Sequence, residues 1–319
     1  MNFDLSPDQE ALRDGIRSLC EGRFPSKRVR DGFDSSVWRE LGDAGVLSLR
    51  ADGFGRADAA VVFEELGRAV VPGPLVWAYL AHGLVDGVVS GLDRTGVTGD
   101  AGPVFVEHRD VIDALLVLDD DRVRVVPADD LEAGTAVERP IDPLTAVHRI
   151  EQLPPGGEQL GGRALADDWR RDGAVLTAAL LVGLAAGCTE LSVAYAQERR
   201  QFDRTIGSFQ AVKHILADMA VRTEVARAAV HAAACTVDDP EVGDVARAVA
   251  GAKLLAGEAA VDNGRAATQI HGGMGFTWEV DVHLYLKRAW ALGTVFGTSG
   301  RHADTVANAL ASERGVTHP

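Results

Sequence analysis

The sequence predicts a mainly helical α+β fold in three stretches: an N-terminal helical domain over residues 1–98, a reduced middle β domain over 99–162 and a C-terminal four-helix bundle over 163–319. Three observations predict it. Apolar residues recur at helical spacing from Ser6 to about Leu92. Between Gly99 and Gly162 that period gives way to short Val-rich runs separated by Asp, Gly and Pro. After Gly162 long helical patterns return.

Ser6-Pro7-Asp8-Gln9 reads as a helix start, with Ser6 as N-cap and Pro7 at the first helical position, where its missing N–H is not needed. Leu12, Ile16 and Leu19 follow at spacings of four and three. Trp38, Leu41 and Val46 mark a second short helix. Ala59–Val70 is a third, with Phe63 and Leu66 inward and Glu64, Glu65 and Arg68 outward. Pro72-Gly73-Pro74 breaks it, and Leu75–Leu84 resumes helix. The β module consists of Val104–Val106, Ala114–Leu118, Val123–Val126 and Ala146–Leu153. Val147 and Ile150 fall out of strict alternation, as at a β-bulge. Pro154-Pro155-Gly156-Gly157 closes the module. Four long helices are then expected, near Leu165–Arg200, Phe209–Val237, Pro240–His271 and Val280–Leu310, with the acidic loop Asp238–Glu241 between the second and third.

At 319 residues the chain can bury a large core, and two or three packed modules are expected. A net charge of −15 argues against nucleic acid or an anionic membrane as the main partner. It leaves room for a polyanionic cofactor, because local arginines decide that. Cys20, Cys188 and Cys235 fit no metal or redox spacing and read as buried free thiols of a reducing cytoplasm. The start Met1–Leu5 is acidic and unlike a signal. The run Ala174–Gly187 is short for a bilayer and reads as a buried helix, so a soluble cytoplasmic protein is expected. The nine histidines show no ligand spacing, and no Walker loop, HExxH or Ser/His/Asp grouping stands out. No metal is expected.

Two segments carry chemistry. In Gln269–Glu279 an amide is followed by Gly272, Gly273 and Gly275. Glycine is costly in a helix, so their presence suggests that something planar or phosphorylated approaches the backbone closely. A helix C-cap would explain Gly272 and Gly273 but not Gln269. In Glu198–Gln210, Arg199, Arg200 and Phe202 sit where the first long C-terminal helix ends. A guanidinium there suits phosphate oxygens and an aromatic ring suits an isoalloxazine or adenine, although a cation at a helix C-terminus is also favourable by itself.

Together, in this order and at this spacing, the two segments resemble the C-terminal flavin-binding elements of the acyl-CoA dehydrogenase family. The resemblance is strong from about Leu165 to Leu310 and looser over the N-terminal helices. It implies the fold order read above, FAD as cofactor, a CoA thioester as substrate and electron-transfer flavoprotein as acceptor. It also implies that Arg199 meets the flavin pyrophosphate, with Phe202 and Gln210 lining the same cofactor. Gln269, Ile270, Gly272 and Gly273 would meet its ADP half, and Thr298 would be a further cofactor contact. In this family such segments reach across a dimer interface to serve the neighbour's flavin.

The chain departs from that pattern at the base. Dehydrogenation beside a thioester needs a carboxylate to take the α-proton. Counting from Gly272-Gly273, the family's usual Glu position falls on Phe296; counting back from Gly183-Leu184, its minority position falls on Gly173. Asp172 is adjacent to the second, but one residue turns a side chain by about 100° on a helix, so it reads as a helix-start residue. Glu279 reads as a structural residue paired with Arg or Lys. The family's Thr/Ser-Glu-Pro turn against the flavin ring is also missing, since Arg94–Asp100 leads directly to the first strand. The resemblance therefore points to a non-catalytic subunit of an actinobacterial-type α2β2 dehydrogenase acting on steroid side-chain CoA thioesters, with a homologous catalytic partner. A self-sufficient homo-oligomer with a relocated base, and a flavin-free scaffold, are the alternatives.

Overall fold

The computed structural model describes residues 5–96 and 102–313. The acidic start Met1–Asp4, residues 97–101 and residues 314–319 lie outside them. N-terminal helices, a small central β module and a C-terminal helix bundle follow one another along the chain, as expected.

The first helices are α1 (Pro7–Arg23), α2 (Ser26–Arg30), α3 (Ser35–Asp43), α4 (Arg56–Arg68) and α5 (Leu75–Ala81). Strands β1 (Val89–Asp93), β2 (Val104–Glu107), β3 (Ala114–Leu118), β4 (Arg122–Pro127), β5 (Thr135–Ala136), β6 (Val147–Ile150) and β7 (Glu158–Gly162) make the β module. The chain continues through α6 (Arg163–Glu198), a small hairpin β8 (Arg200–Gln201) and β9 (Arg204–Thr205), then α7 (Gln210–Asp238), α8 (Val245–His271), α9 (Val282–Leu292) and α10 (Ser299–Glu313). Two compact units result: Met1–Ser26 with Arg56–Val71 and Ala174–Pro319, and Lys27–Gly55 with Pro72–Gly173. The larger unit joins α1 and α4 to the C-terminal helices, because α1 packs on α4 and α4 on α6 and α7.

In the larger unit Ser6 caps α1 as expected, its Oγ accepting from the Gln9 N–H (3.2 Å) while Gln9 Oε1 accepts from the Ser6 N–H (3.1 Å). α4 crosses α6 with the two backbones in contact. A Cβ added to Gly67 would lie 2.1 Å from the Leu180 carbonyl oxygen, and one on Gly183 would lie 2.0 Å from that of Glu64. Phe63 and Leu66 are fully buried, as their spacing predicts. The outward placement of Glu65 is corrected: it is 2% exposed. Arg17 clasps it at 2.7 and 2.9 Å and Arg68 adds a third bond at 2.7 Å. Burial raises the Glu65 pKa, and the two arginines more than reverse that, holding the carboxyl below its ordinary value. Glu64 and Arg68 are also largely covered, Glu64 by an ion pair with Arg227 at 2.8 Å. Asp238, expected in a loop, caps α4 by accepting the Arg56 and Ala57 N–H groups at 3.0 and 3.1 Å. By length and composition α6 is apolar enough to cross a membrane, but 83% of its apolar window is buried inside the protein, which makes it a core helix. Cys20 and Cys188 are buried free thiols as expected, and Cys235 is half-buried.

In the smaller unit one sheet has the order β1-β3-β4-β7, with β1 and β3 parallel and the other pairs antiparallel; β2-β6-β5 form a second, antiparallel sheet. Val106, Ile112, Leu115, Val117, Val126 and Ile150 are among the residues that fill the core between them. The bulge falls between Val123 and Arg124 of β4, not at Val147 and Ile150. β1, β5 and β7 escape the sequence pattern because they are short, glycine-bearing or exposed. Two helical expectations also change. α5 ends at Ala81, short of Leu84, and the expected Val280–Leu310 helix is two helices separated by a turn at 293–298.

Candidate functional site

α6 ends at Glu198, and the Arg199 N–H still closes its last turn on the Tyr195 carbonyl at 2.8 Å. The hairpin that follows reverses at Phe202 (φ 53°) and Asp203 (φ 61°). Positive φ at both central residues suits a two-residue hairpin turn, because it matches the twist of the strands. Arg200 Nη2 donates to the Asp203 carbonyl at 2.7 Å and secures it. Phe202 stands 85% exposed, edge-on to Phe209 with ring centroids 6.2 Å apart, and the Arg204 guanidinium lies 3.9 Å over the Phe209 ring. Gln210 opens α7 and is exposed. Arg199 is exposed too, and among the described residues its guanidinium has no partner.

The second segment ends α8. Gln269 is exposed, with its carbonyl accepting the Gly272 N–H, while Ile270 and His271 are buried. The three glycines differ in what requires them. Gly275 is packed: a Cβ there would lie 2.7 Å from the Thr268 carbonyl oxygen. Gly272 needs its φ of 60° to end the helix. Gly273 has neither reason, since its backbone is ordinary and no chain atom lies within 4 Å of a Cβ there. His271 stacks on Tyr195 (centroids 4.2 Å apart, planes 21° apart), and the Tyr195 hydroxyl lies 3.9 Å from Met274 Sδ. This brings the two segments to one end of the larger unit. Phe276 (83%) and Trp278 (57%) are exposed beside them.

The usual base position lies in the 293–298 turn. Phe296 is 4% exposed at φ 54°, with its carbonyl 3.0 Å from His302 Nε2, and Gly297 has φ 105°. Lys253, 3% exposed, donates to the carbonyls of Leu292, Gly293 and Gly297 at 3.2, 3.3 and 3.4 Å. Burial pushes its pKa down to about 8. Thr298 is exposed; its Oγ1 accepts the Arg301 N–H at 3.4 Å at the start of α10, and it borders a groove of about 330 Å³ with Lys253 and Trp290. The minority base position, Gly173, is buried. Asp172 is not a helix-start residue: α6 begins at Arg163, and Asp172 is 1% exposed inside the helix with Arg50 at 3.9 Å. Glu279 is exposed and, among the described residues, makes no ion pair. No His, Cys, Asp or Glu cluster among the described residues suits a metal ion.

Unpartnered among the described residues, the Arg199 guanidinium and the Gln269 amide, with the open glycine backbone beside them, are groups of a kind that suits a diphosphate and its adenosine. The 293–298 turn, Gly293-Thr294-Val295-Phe296-Gly297-Thr298, carries no carboxylate.

Residues 162–311 match the family model of the acyl-CoA dehydrogenase C-terminal domain. The acyl-CoA dehydrogenase IpdE2 of Mycolicibacterium smegmatis is 34% identical over 92% of this chain and 96% of its own length. The acyl-CoA dehydrogenase FadE34 of Mycobacterium tuberculosis is 31% identical over 93% of this chain but only 47% of its own. Among solved structures, the ChsE4–ChsE5 complex from Mycobacterium tuberculosis superposes at a TM-score of 0.80 (23% identity, 98% of this chain and 99% of that one). A variant of the Tcur3481–Tcur3483 steroid ACAD superposes at 0.77 (21% identity, 97% and 99%).

Proposed function

The chain belongs to the acyl-CoA dehydrogenase family, and we propose that it is the non-catalytic subunit of a heteromeric member, completing an FAD site held mainly by a homologous catalytic partner. One observation carries this reading. The side chains suited to a cofactor's ADP half, Arg199 and Gln269, are exposed and, among the described residues, unpartnered, while the residue at the base position, Phe296, is buried.

In this reading FAD, when bound, supplies the acceptor for the hydride lost from the substrate β-carbon. The partner's carboxylate takes the α-proton. This chain's part is to bind and orient: Arg199 donates to the diphosphate, the Gln269 amide and the open backbone at Gly272–Gly273 meet the adenosine, and Phe202 and Gln210 line the same cofactor. Thr298 borders the cofactor from the closed turn. FadE34 lends support, because this chain matches less than half of it and leaves room there for a second unit of similar size. The two structural neighbours are named as pairs. A steroid side-chain CoA thioester as substrate, in an α2β2 assembly of the cytoplasm with electron-transfer flavoprotein as acceptor, completes the proposal. A site without its own base frees volume for a polycyclic acyl group.

The test is co-expression with a neighbouring dehydrogenase-like subunit, followed by sedimentation and a flavin count per chain. A stable complex carrying flavin, and a flavin-poor chain when expressed alone, are expected. An active, fully flavinylated homotetramer of this chain would sink the proposal, and a colourless complex would leave a scaffold. Asp172→Asn should leave turnover of the complex unchanged. Loss of a true general base costs about 10²–10⁴-fold, and a fall of that size at unchanged flavin content would make this chain the enzyme.

A further inference from the structure

We propose that Tyr195 and His271 are positioning residues of the dinucleotide site, their stacked rings setting the spacing between Arg199 and Gln269. This rests on the reading of those two side chains as cofactor contacts.

The geometry is specific. Arg199 is one helical turn beyond Tyr195, and its N–H is held by the Tyr195 carbonyl at 2.8 Å. On the other helix, Gln269 precedes His271 by two residues, a rotation of about 200°. His271 therefore faces inward, 6% exposed, while Gln269 faces out. The imidazole has little freedom. Nδ1 lies 2.8 Å from the Ala267 carbonyl oxygen, which can only accept, so Nδ1 carries the proton and the ring plane is fixed. Burial lowers the His271 pKa and keeps the ring neutral near pH 7. Against that fixed plane lies the Tyr195 ring, at 4.2 Å and 21°. The weaker approach of the Tyr195 hydroxyl to Met274 Sδ, 3.9 Å, adds a link to the glycine segment. Two cofactor segments 70 residues apart in sequence are thereby registered through one ring pair whose side chains are not themselves proposed contacts.

The test is a double-mutant cycle in FAD affinity, on the full chain purified with the dehydrogenase subunit that accompanies it. Tyr195→Leu should weaken FAD binding about tenfold, and the same change made in an Arg199→Ala background should add about twofold or less. Tyr195→Phe and His271→Phe keep a flat ring and should retain affinity, whereas His271→Leu should not. Equal losses in both backgrounds, or Phe variants as weak as the Leu variants, would overturn the proposal. Full FAD affinity in Arg199→Ala would instead sink the cofactor reading. Amide exchange at 199–205 then judges the stack by itself: His271→Leu should speed it, and unchanged exchange there would overturn the positioning role even if Tyr195→Leu fails to fold.

Discussion

The end of the bundle that carries Arg199 and Gln269 and the 293–298 turn that carries Phe296 belong to the same helical unit, yet they are finished in opposite ways. At the first, the Arg199 and Gln269 side chains are exposed with no partner among the described residues, and Phe202, Phe276 and Trp278 stand exposed beside them. At the second, a buried ring in a left-handed conformation is held by Lys253 and His302 through four backbone carbonyls. Aromatic residues seldom adopt positive φ, so the surroundings must offset that strain. The open end has its chemistry still to satisfy, and the closed turn has satisfied its own internally. A subunit that lends contacts to a neighbour and has given up its own proton transfer should look this way.

Substitutions that separate folding from cofactor binding break or sharpen this contrast. The largest expected effect is at the closed turn. Phe296→Ala should cost about 3–5 kcal/mol of stability, as loss of a buried aromatic does, while FAD affinity and the chemical step in the complex hold. Denaturant unfolding alongside flavin titration checks it; a loss of turnover at unchanged stability would show that the turn is not simply closed. At the open end the pattern should invert. Arg199→Ala should weaken FAD binding by about 1.5–3 kcal/mol, the worth of a charge-assisted contact, with the thermal midpoint unmoved. Gln269→Ala should do the same on a smaller scale, about 0.5–1.5 kcal/mol. Full flavin retention in both variants would erase the distinction.

The smallest effect is a pH slope at the closed turn. Burial first, then the charge of Lys253, lowers the His302 pKa below its ordinary 6.5. Between the lowered and the ordinary value the unfolded chain binds more protons, so the stability His302 contributes is complete above about pH 6.5 and is lost as pH falls through the lowered value. His302→Gln should flatten the fall in melting temperature on acidification below pH 6.5. His231 and His271, lowered in the same direction, should keep the remainder. An identical slope in the variant would remove His302 from the account.

Much of the architecture was legible because local chemistry announces it. Ser6 and Pro7 start α1 where the capping pattern places them, and the all-apolar run Ala114–Leu118 is the central strand β3. What stayed hidden depended on partners distant in sequence. Glu65 reads as outward on its own helix, and Arg17, 48 residues away, joins Arg68 in making its burial tolerable. Asp238 reads as a loop acid until its role as the cap of α4 is seen. Strand β7 is polar and glycine-rich and carries no alternation to find. The last long helix breaks because of backbone geometry at Phe296 and Gly297 that apolar spacing does not encode. The site divides in the same manner. The residue types at 199 and 269 were legible by resemblance; the Tyr195–His271 ring pair that links their helices was not, because stacking leaves no mark in either local sequence.

The crossing of α4 on α6 bears on how this molecule tolerates change. At Gly67 and Gly183 the partner's backbone already occupies the place a methyl group would take, with carbonyl oxygens 2.1 and 2.0 Å from it. Tolerance there runs against the usual scale of conservative replacement. A swap from Leu to Met in the surrounding core is absorbed by flexible side chains, whereas Gly→Ala at either position has only main chain to push against. In a library of random variants, the gentlest substitution by size should rank among the most damaging at these two sites, and a survey by chemical similarity would misplace both.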